Sequence, residues 1–218
     1  SGSTLMPGFV EPHSHPLLSG ITTEAPAYNI SPWLVPDWPG IVALARQAAV
    51  DVPPGNSILL FGLDQLLHGC PFPTATEMDD LFGDRIAVII ALSQHKAAVT
   101  TAALESLDWL DNAPPDPVGG TFGRRPDGSL DGTADEVPAV LAFAAPALQS
   151  LGGHSLAQAS SYLAGMSRAG ITAASELAYD TTMASAYEAL WSLPHVPMRM
   201  SVYHSTADPL CSQRLTTP

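Results

Sequence analysis

The chain has 218 residues, of which 46% are hydrophobic and 13% are charged, which is enough for one soluble core. Its formal net charge of −13, with only 8 lysines and arginines, argues against nucleic acid and anionic membranes as partners. No apolar run approaches the length of about 18 residues that a transmembrane helix needs, and no basic residue precedes the first apolar stretch as in a secretory signal. The two cysteines, Cys70 and Cys211, lie far apart. They favour a reducing cytoplasm over a disulfide framework.

Short strands and helices are predicted to alternate through the first half of the chain. Asp37 and Thr74 are predicted helix N-caps, and Thr74 forms a capping-box pattern with Glu77. In chain order we predict a strand leading into residue 15, a helix over 37–50, a strand over 57–61, a helix over 74–82, a strand over 85–92 and a helix over 97–107.

The second half begins with a loop and hairpin and ends in a regular strand–helix pattern. Pro138 and Pro146 are predicted to kink a helix over 134–151. After it we predict a helix from Ser155 to Gly170, a strand over 171–175, a helix capped by Asp180 and a strand over 198–203. Such strand–helix–strand units with short connections imply parallel strands.

Two histidines at the end of the first predicted strand are the strongest chemical signal. His13 and His15 are two residues apart, so on a strand both side chains project from the same face. Imidazole is a common zinc ligand, and such a pair supplies half of a tetrahedral site. A bare His-x-His pair is more often a surface feature, but the apolar approach through Pro7 and Gly8 indicates a core strand that ends at a pocket.

Five sequence blocks in order carry a family resemblance. The segment Pro7-Gly-Phe-Val-Glu-Pro-His-Ser-His15 resembles the first barrel strand of the amidohydrolase superfamily, which opens with Pro-Gly-Phe, an acidic residue and His-x-His. The later blocks that resemble this family span residues 58–81, 95–104, 119–136 and 169–176. Together they point to the amidohydrolase 3 branch, which contains N-acyl-amino-acid deacylase-like enzymes.

The resemblance implies the roles of several residues. In the family, His-x-His binds metal at the mouth of a TIM barrel, and the metal activates a water that attacks an amide or ester carbonyl. His13 and His15 carry over as metal ligands, with zinc the expected divalent ion. Glu176 is predicted as a further ligand or an orienting carboxylate, the alternative being a solvated strand-end acid. His95 is predicted to contact substrate or else to lie on the surface, and Glu11 to accept a hydrogen bond from a histidine N–H.

The resemblance stops near Tyr203, so the family's later metal ligands, its lysine and its general-base aspartate have no counterpart here. A complete barrel needs about 250 residues. We therefore predict an α/β fold: a partial (β/α) TIM-like barrel made of the first strands, with an inserted α+β subdomain. Residues 1–51 are predicted to form the first barrel strand and helix, residues 52–152 the inserted subdomain, and residues 153–218 further barrel units.

These features predict a truncated or split metal-dependent amidohydrolase whose ancestral chemistry is hydrolysis of amide-type C–N bonds. We expect it to be inactive as a lone chain, and to act on a small N-acyl or amide substrate if it is active. Open strand edges predict a homo-oligomer or a partner chain that covers them. The alternative is a non-catalytic binding or assembly module that keeps half of the fold. A serine hydrolase is disfavoured because the sequence has no Gly-x-Ser-x-Gly elbow.

Overall fold

The computed structural model describes residues 2–151, 155–179 and 181–205. Contacts between Cα atoms divide the chain into two compact units. We call residues 25–152 the continuous unit, and residues 1–24 together with 153–218 the discontinuous unit. The predicted helix cap at Asp180 lies outside the described residues.

The described elements alternate along the chain as an α/β protein requires. In chain order they are β1 (Phe9–Ser14), α1 (Pro16–Thr23), β2 (Tyr28–Asn29), α2 (Trp38–Asp51), β3 (Ile58–Leu63), α3 (Ala75–Phe82), β4 (Ala87–Ala91), β5 (Lys96–Val99), α4 (Thr101–Ser106), β6 (Thr121–Arg124), β7 (Leu130–Asp135), α5 (Val137–Leu151), α6 (Ser155–Arg168), β8 (Ile171–Tyr179), a 3₁₀ turn (Thr181–Met183), α7 (Ala184–Trp191) and β9 (Arg199–His204).

The continuous unit is built on a mixed six-stranded sheet with the strand order β2-β3-β4-β5-β7-β6. Strands β2, β3 and β4 are parallel, and the remaining pairings are antiparallel. Alternate residues of β3 enter two different apolar clusters: Leu59 and Phe61 join one, whereas Ile58 and Leu60 join the other. Because a strand points successive side chains to opposite faces, both faces of this sheet are buried.

Local signals in the sequence set the helix ends of the continuous unit. The Asp37 carboxylate accepts a hydrogen bond from the Gly40 N–H at 2.9 Å, as a helix cap requires. The Glu77 carboxylate accepts from the Thr74 N–H at 2.8 Å, so the predicted capping contact is confirmed. At the other end of α2, the Arg85 guanidinium donates to the carbonyls of Ala49, Val52, Pro53 and Asn56.

The discontinuous unit contains a three-stranded parallel sheet with β8 in the centre, between β1 and β9. Helices α6 and α7 and part of α1 supply its apolar cluster, in which Leu163, Tyr187 and Leu190 are fully or almost fully buried. Helices α1 and α6 approach closely at Gly20, where an added Cβ would lie 2.7 Å from the Ala159 Cα. The predicted strand–helix–strand order of this region is confirmed.

Several features differ from the sequence-based prediction, among them helix α1 (Pro16–Thr23), where no helix was predicted. Residues 97–99 were predicted as the start of a helix but form β5, because Ala97, Ala98 and Val99 are fully buried and β5 pairs with β4 and β7. Helix α2 was grouped with the first barrel strand, but it belongs to the continuous unit because Ile41, Ala45 and Ala48 pack into a cluster there. The first boundary between the two contact-based units lies after residue 24, and the division into barrel units and an inserted subdomain stays a prediction.

The mixed α/β class is confirmed, and the partial barrel stays a prediction. The described strands form one three-stranded and one six-stranded sheet. None of the described helices combines the length and the apolar content needed to cross a bilayer.

Candidate functional site

Parallel strands bring the histidine motif to the carboxyl end of the three-stranded sheet, where His15 contacts a carboxylate. His13 lies near the end of β1, and His15 is the N-cap residue of α1. Ser14 pairs with Glu176 across the ladder between β1 and β8. The imidazole rings of His13 and His15 have centroids 5.8 Å apart and are nearly perpendicular. His13 is exposed and His15 is partly buried. Both residues lie at the carboxyl end of β1.

Glu176 is buried and makes direct contact with His15. Its side chain is only 2% exposed, which excludes the alternative of a solvated strand-end acid. Carboxylate Oε1 lies 2.9 Å from the His15 Nδ1 and also accepts from the Ala178 N–H at 2.9 Å. Oε2 accepts a short hydrogen bond from the Tyr187 hydroxyl. Both carboxylate oxygens are therefore engaged by the protein itself.

The electrostatics of this cluster favour an ionised glutamate. Burial by itself would raise the pKa of Glu176, but hydrogen bonds from His15, Tyr187 and Ala178 outweigh it and lower that pKa. The pKa of His15 is raised, mainly by its hydrogen bond to Glu176 and against the effect of its own burial. Burial and the neighbouring Glu176 carboxylate also raise the pKa of the Tyr187 hydroxyl, so Tyr187 acts as a neutral donor.

Glu11 contacts the backbone of the motif. Its Oε1 accepts from the backbone N–H of His13 at 3.0 Å. We expected Glu11 to accept a hydrogen bond from a histidine N–H. In the structure the donor is the backbone amide of His13 and not its imidazole ring. This hydrogen bond restrains the backbone of β1 at His13.

His95 lies in the continuous unit, on the wall of a cavity of about 390 Å³. Its Nδ1 lies 2.6 Å from the Glu136 Oε2, and both side chains are more than half exposed. Lys96 and Asp135 form a second pair on the same wall, at 2.6 Å. Leu63 at the end of β3 and Ala91 at the end of β4 also line the cavity. Carboxyl ends of parallel strands are the usual ligand-binding edge of such sheets.

The donor set fits part of a metal site. Across the residues that the structure describes, no group of three or more histidine, cysteine, aspartate or glutamate side chains is placed to hold a metal ion. Zinc sites use three or four protein ligands, and imidazole nitrogens are among the commonest. His13 and His15 therefore supply suitable ligands but do not complete a site by themselves.

Sequence reasoning missed Tyr187. Tyr187 lies on α7 and packs in the apolar cluster of the discontinuous unit. Its hydroxyl, however, bonds to Glu176. The available signal is chemical: a tyrosine on an otherwise apolar helix face needs a hydrogen-bond partner when it is buried.

Comparisons with known proteins identify the family and the fold of this chain. The model of the amidohydrolase family Amidohydro_3 matches residues 1–210. Two solved structures are similar in fold, both described as uncharacterized metal-dependent hydrolases. The protein from Pyrococcus horikoshii OT3 has a TM-score of 0.56 and 16% identity, with 91% of this chain and 36% of that chain covered. The protein from Pyrococcus furiosus has a TM-score of 0.56 and 17% identity, with 91% and 38% covered.

The match is partial in length. The chain spans little more than a third of each of these two structures. None of the curated proteins matches the sequence. Because the family model extends over nearly the whole chain, including both histidines and Glu176, the chain belongs to the amidohydrolase family.

Proposed function

We propose that this chain contributes part of the metal centre of a metal-dependent hydrolase that cleaves amide-type C–N bonds. The observation that carries the proposal is the placement of His13 and His15 at the carboxyl end of a parallel sheet, with His15 held by a buried carboxylate. The family match and the two metal-dependent hydrolases of similar fold support it. The proposed substrate is a small N-acyl or amide compound.

The chemistry divides between the ion and the protein. When bound, a divalent ion, for which we propose zinc, lowers the pKa of a water molecule and polarises the substrate carbonyl. His13 and His15 would bind this ion through ring nitrogens. Glu176 was predicted as a ligand or an orienting carboxylate, and its contacts with His15 and Tyr187 support the orienting role. Glu11 would hold the backbone of His13 in place.

We propose that the chain alone does not hydrolyse substrate. In the described part of the chain two histidines are brought together, whereas catalytic zinc centres use three protein ligands and an open position. The same shortfall supports the second candidate function, a non-catalytic binding or assembly module with the first part of the fold. The two functions differ in metal stoichiometry and in turnover.

Exposed apolar side chains on the outer strands support the proposal of a homo-oligomer or a partner chain. Phe9 on β1 is 56% exposed, Val10 is 63% exposed and Tyr203 on β9 is 55% exposed. Both strands are outer strands of the described three-stranded sheet. Sedimentation velocity over a range of concentrations tests this proposal. A sedimenting mass equal to one chain at every concentration would refute the homo-oligomer. The absence of any protein that binds to these strands would refute the partner chain.

His95 stays a proposed substrate contact. Its place on the cavity wall, beside Lys96 and Asp135, supports binding of a polar group. Titration with N-acetylglycine, followed through the ring signals of His95, tests the role. The exposed His195 provides a control whose signals should not move. Equal shifts at both residues, or none at His95, would contradict the proposal.

Metal content is the decisive measurement. The protein is incubated with zinc and desalted, and its bound metal is then measured by elemental analysis. We expect retained zinc, up to one ion per chain, that is lost in the double variant His13→Ala and His15→Ala. His195→Ala serves as the control because this histidine is exposed and far along the chain from the motif. Equal retention by the double variant, or none by the unmodified chain, would refute the metal-centre proposal and favour the binding module.

The compartment follows only from sequence. The cytoplasm is the proposed location because the cysteines do not suggest a disulfide framework. Cys70 is a buried free thiol, and Cys211 lies outside the described residues.

A further inference from the structure

Three hydrogen-bonding groups surround the buried carboxylate of Glu176. The His15 Nδ1 and the Ala178 N–H are each 2.9 Å from Oε1, and the Tyr187 hydroxyl contacts Oε2. With 2% of the residue exposed, there is almost no access for water. A carboxylate with both oxygens engaged in this way has little capacity left for a metal ion.

The Tyr187 side chain is fixed by packing beside β8. Leu17, in the first turn of α1, packs against the same apolar cluster as Tyr187. The hydroxyl has one hydrogen, which it donates to Glu176. The ring is fully buried and lies against Tyr179 and Trp191, with centroid distances of 5.7 and 5.5 Å. Packing therefore fixes the direction from which Glu176 is bound.

These contacts decide which nitrogen of His15 carries the hydrogen. Oε1 faces an amide donor and Oε2 faces a hydroxyl donor, so the carboxylate is an acceptor on both sides. The ring nitrogen beside Oε1 must then be the donor in that contact. In a neutral imidazole with a hydrogen on Nδ1, the lone pair lies on Nε2.

We propose that Glu176 and Tyr187 are a positioning pair that fixes His15 as the Nδ1–H tautomer and leaves Nε2 as its only ligand atom. Glu176 then acts through His15 and is not itself a metal ligand. Tyr187 acts one step further away, by holding the carboxylate against the ring. The role of Nε2 as a ligand rests on the proposed function, whereas the tautomer itself does not.

The tautomer can be measured in the metal-free protein. Long-range ¹H–¹⁵N correlation spectra of the complete 218-residue chain, at an alkaline pH where the imidazoles are neutral, show which ring nitrogen of each histidine bears hydrogen. The His15→Gln variant identifies the His15 signals by their loss. We expect the Nδ1–H pattern at His15. An Nε2–H pattern at His15 would overturn the proposal, and this outcome needs no folded variant.

Zinc affinity separates positioning from a purely structural role. Glu176→Met keeps the side-chain length but removes the acceptor, and should shift His15 towards Nε2–H and weaken zinc binding by about 10- to 100-fold. Tyr187→Phe should weaken it less, by up to about 10-fold. Tyr162→Phe removes a hydroxyl from the same cluster without touching Glu176 and should change neither quantity. Folded Glu176→Met protein with an unchanged tautomer and unchanged zinc affinity would overturn the proposal.

The tautomer measurement and the zinc measurement can refute the positioning pair and the metal centre separately. An Nδ1–H pattern in a protein that retains no zinc would support the positioning pair and refute the metal centre. An Nε2–H pattern in a protein that retains zinc through His13 and His15 would do the reverse. Competition against a chelator gives the affinities without any measurement of hydrolysis.

Discussion

The continuous unit buries both faces of its sheet, whereas the discontinuous unit leaves apolar side chains exposed on its outer strands. In the continuous unit, one apolar cluster lies on each side of β3 and β4. In the discontinuous unit, one cluster covers β8, while Phe9 and Tyr203 on the neighbouring strands are more than half exposed. Yet the histidine motif lies in this second unit.

The two units are stabilised by different kinds of contact. The continuous unit has the apolar burial that a small domain needs in order to fold. The discontinuous unit gains part of its order from polar contacts around a buried carboxylate, which is expensive to bury unless it is fully hydrogen-bonded. Substitutions in the continuous unit should therefore act mainly through lost apolar contacts, and substitutions around Glu176 mainly through lost hydrogen bonds.

The largest effect is expected in the core of the continuous unit. Phe143 on α5 is fully buried, and its ring lies 5.0 Å from that of Phe122. Phe143→Ala should lower the free energy of unfolding by about 3–5 kcal/mol, because it removes apolar contacts and leaves a cavity. Phe9→Ala is the matched substitution at the exposed strand and should cost no more than about 0.5 kcal/mol. Urea denaturation measures both, and equal losses would contradict the contrast between the units.

The next effect tests the polar cluster of the discontinuous unit. Tyr187→Phe leaves one oxygen of buried Glu176 without its donor and should cost about 2–3 kcal/mol of unfolding free energy. Tyr162→Phe, which removes a hydroxyl from a partly buried ring of the same cluster, should cost about 0.5 kcal/mol or less. If both variants have the same stability as the unmodified chain, the hydrogen bond to Glu176 contributes little.

A smaller loss is expected where Arg85 holds the end of α2. Its guanidinium donates to four backbone carbonyls, which a single ammonium cannot do with the same geometry. Arg85→Lys should therefore cost about 1–2 kcal/mol in urea denaturation. Arg46→Lys on the exposed side of the same helix should leave stability unchanged. A loss of the same size in Arg46→Lys would show that replacing arginine by lysine lowers stability even without the forked contact, and would contradict this prediction.

The smallest effect depends on pH. Hydrogen bonds to the backbone and then to the side chain of Thr74 lower the pKa of Glu77. A carboxyl with a lowered pKa stabilises the fold above its unfolded value, here 4.5, and loses that contribution as the pH falls through the lower folded value. Glu77→Ala should cost about 1 kcal/mol at neutral pH and progressively less in acid. Glu105→Ala, at an exposed position on α4, is the control and should cost no more than about 0.5 kcal/mol at neutral pH.

Local patterns predicted much of the fold. The caps at Asp37 and Thr74 and the order of elements in the last third follow from short-range chemistry, and the structure confirms them. The strand at residues 97–99 was missed because alanines favour helix locally, whereas pairing with β4 and β7 decides their conformation. The position of α2 was missed for a similar reason. Packing against β3 and α3 determines where α2 lies, and the sequence of α2 alone does not indicate which elements it packs against.

The sequence by itself determined the family, the α/β class and the candidate residues His13, His15 and Glu176, because these depend on residue types and their spacing. Only the tertiary structure decided how they act together. Glu176 lies 161 residues from His15, and pairing of β1 with β8 brings them to 2.9 Å. Tyr187 joins them because α7 packs beside β8. Contacts across that distance depend on the whole chain, so no local pattern specifies them.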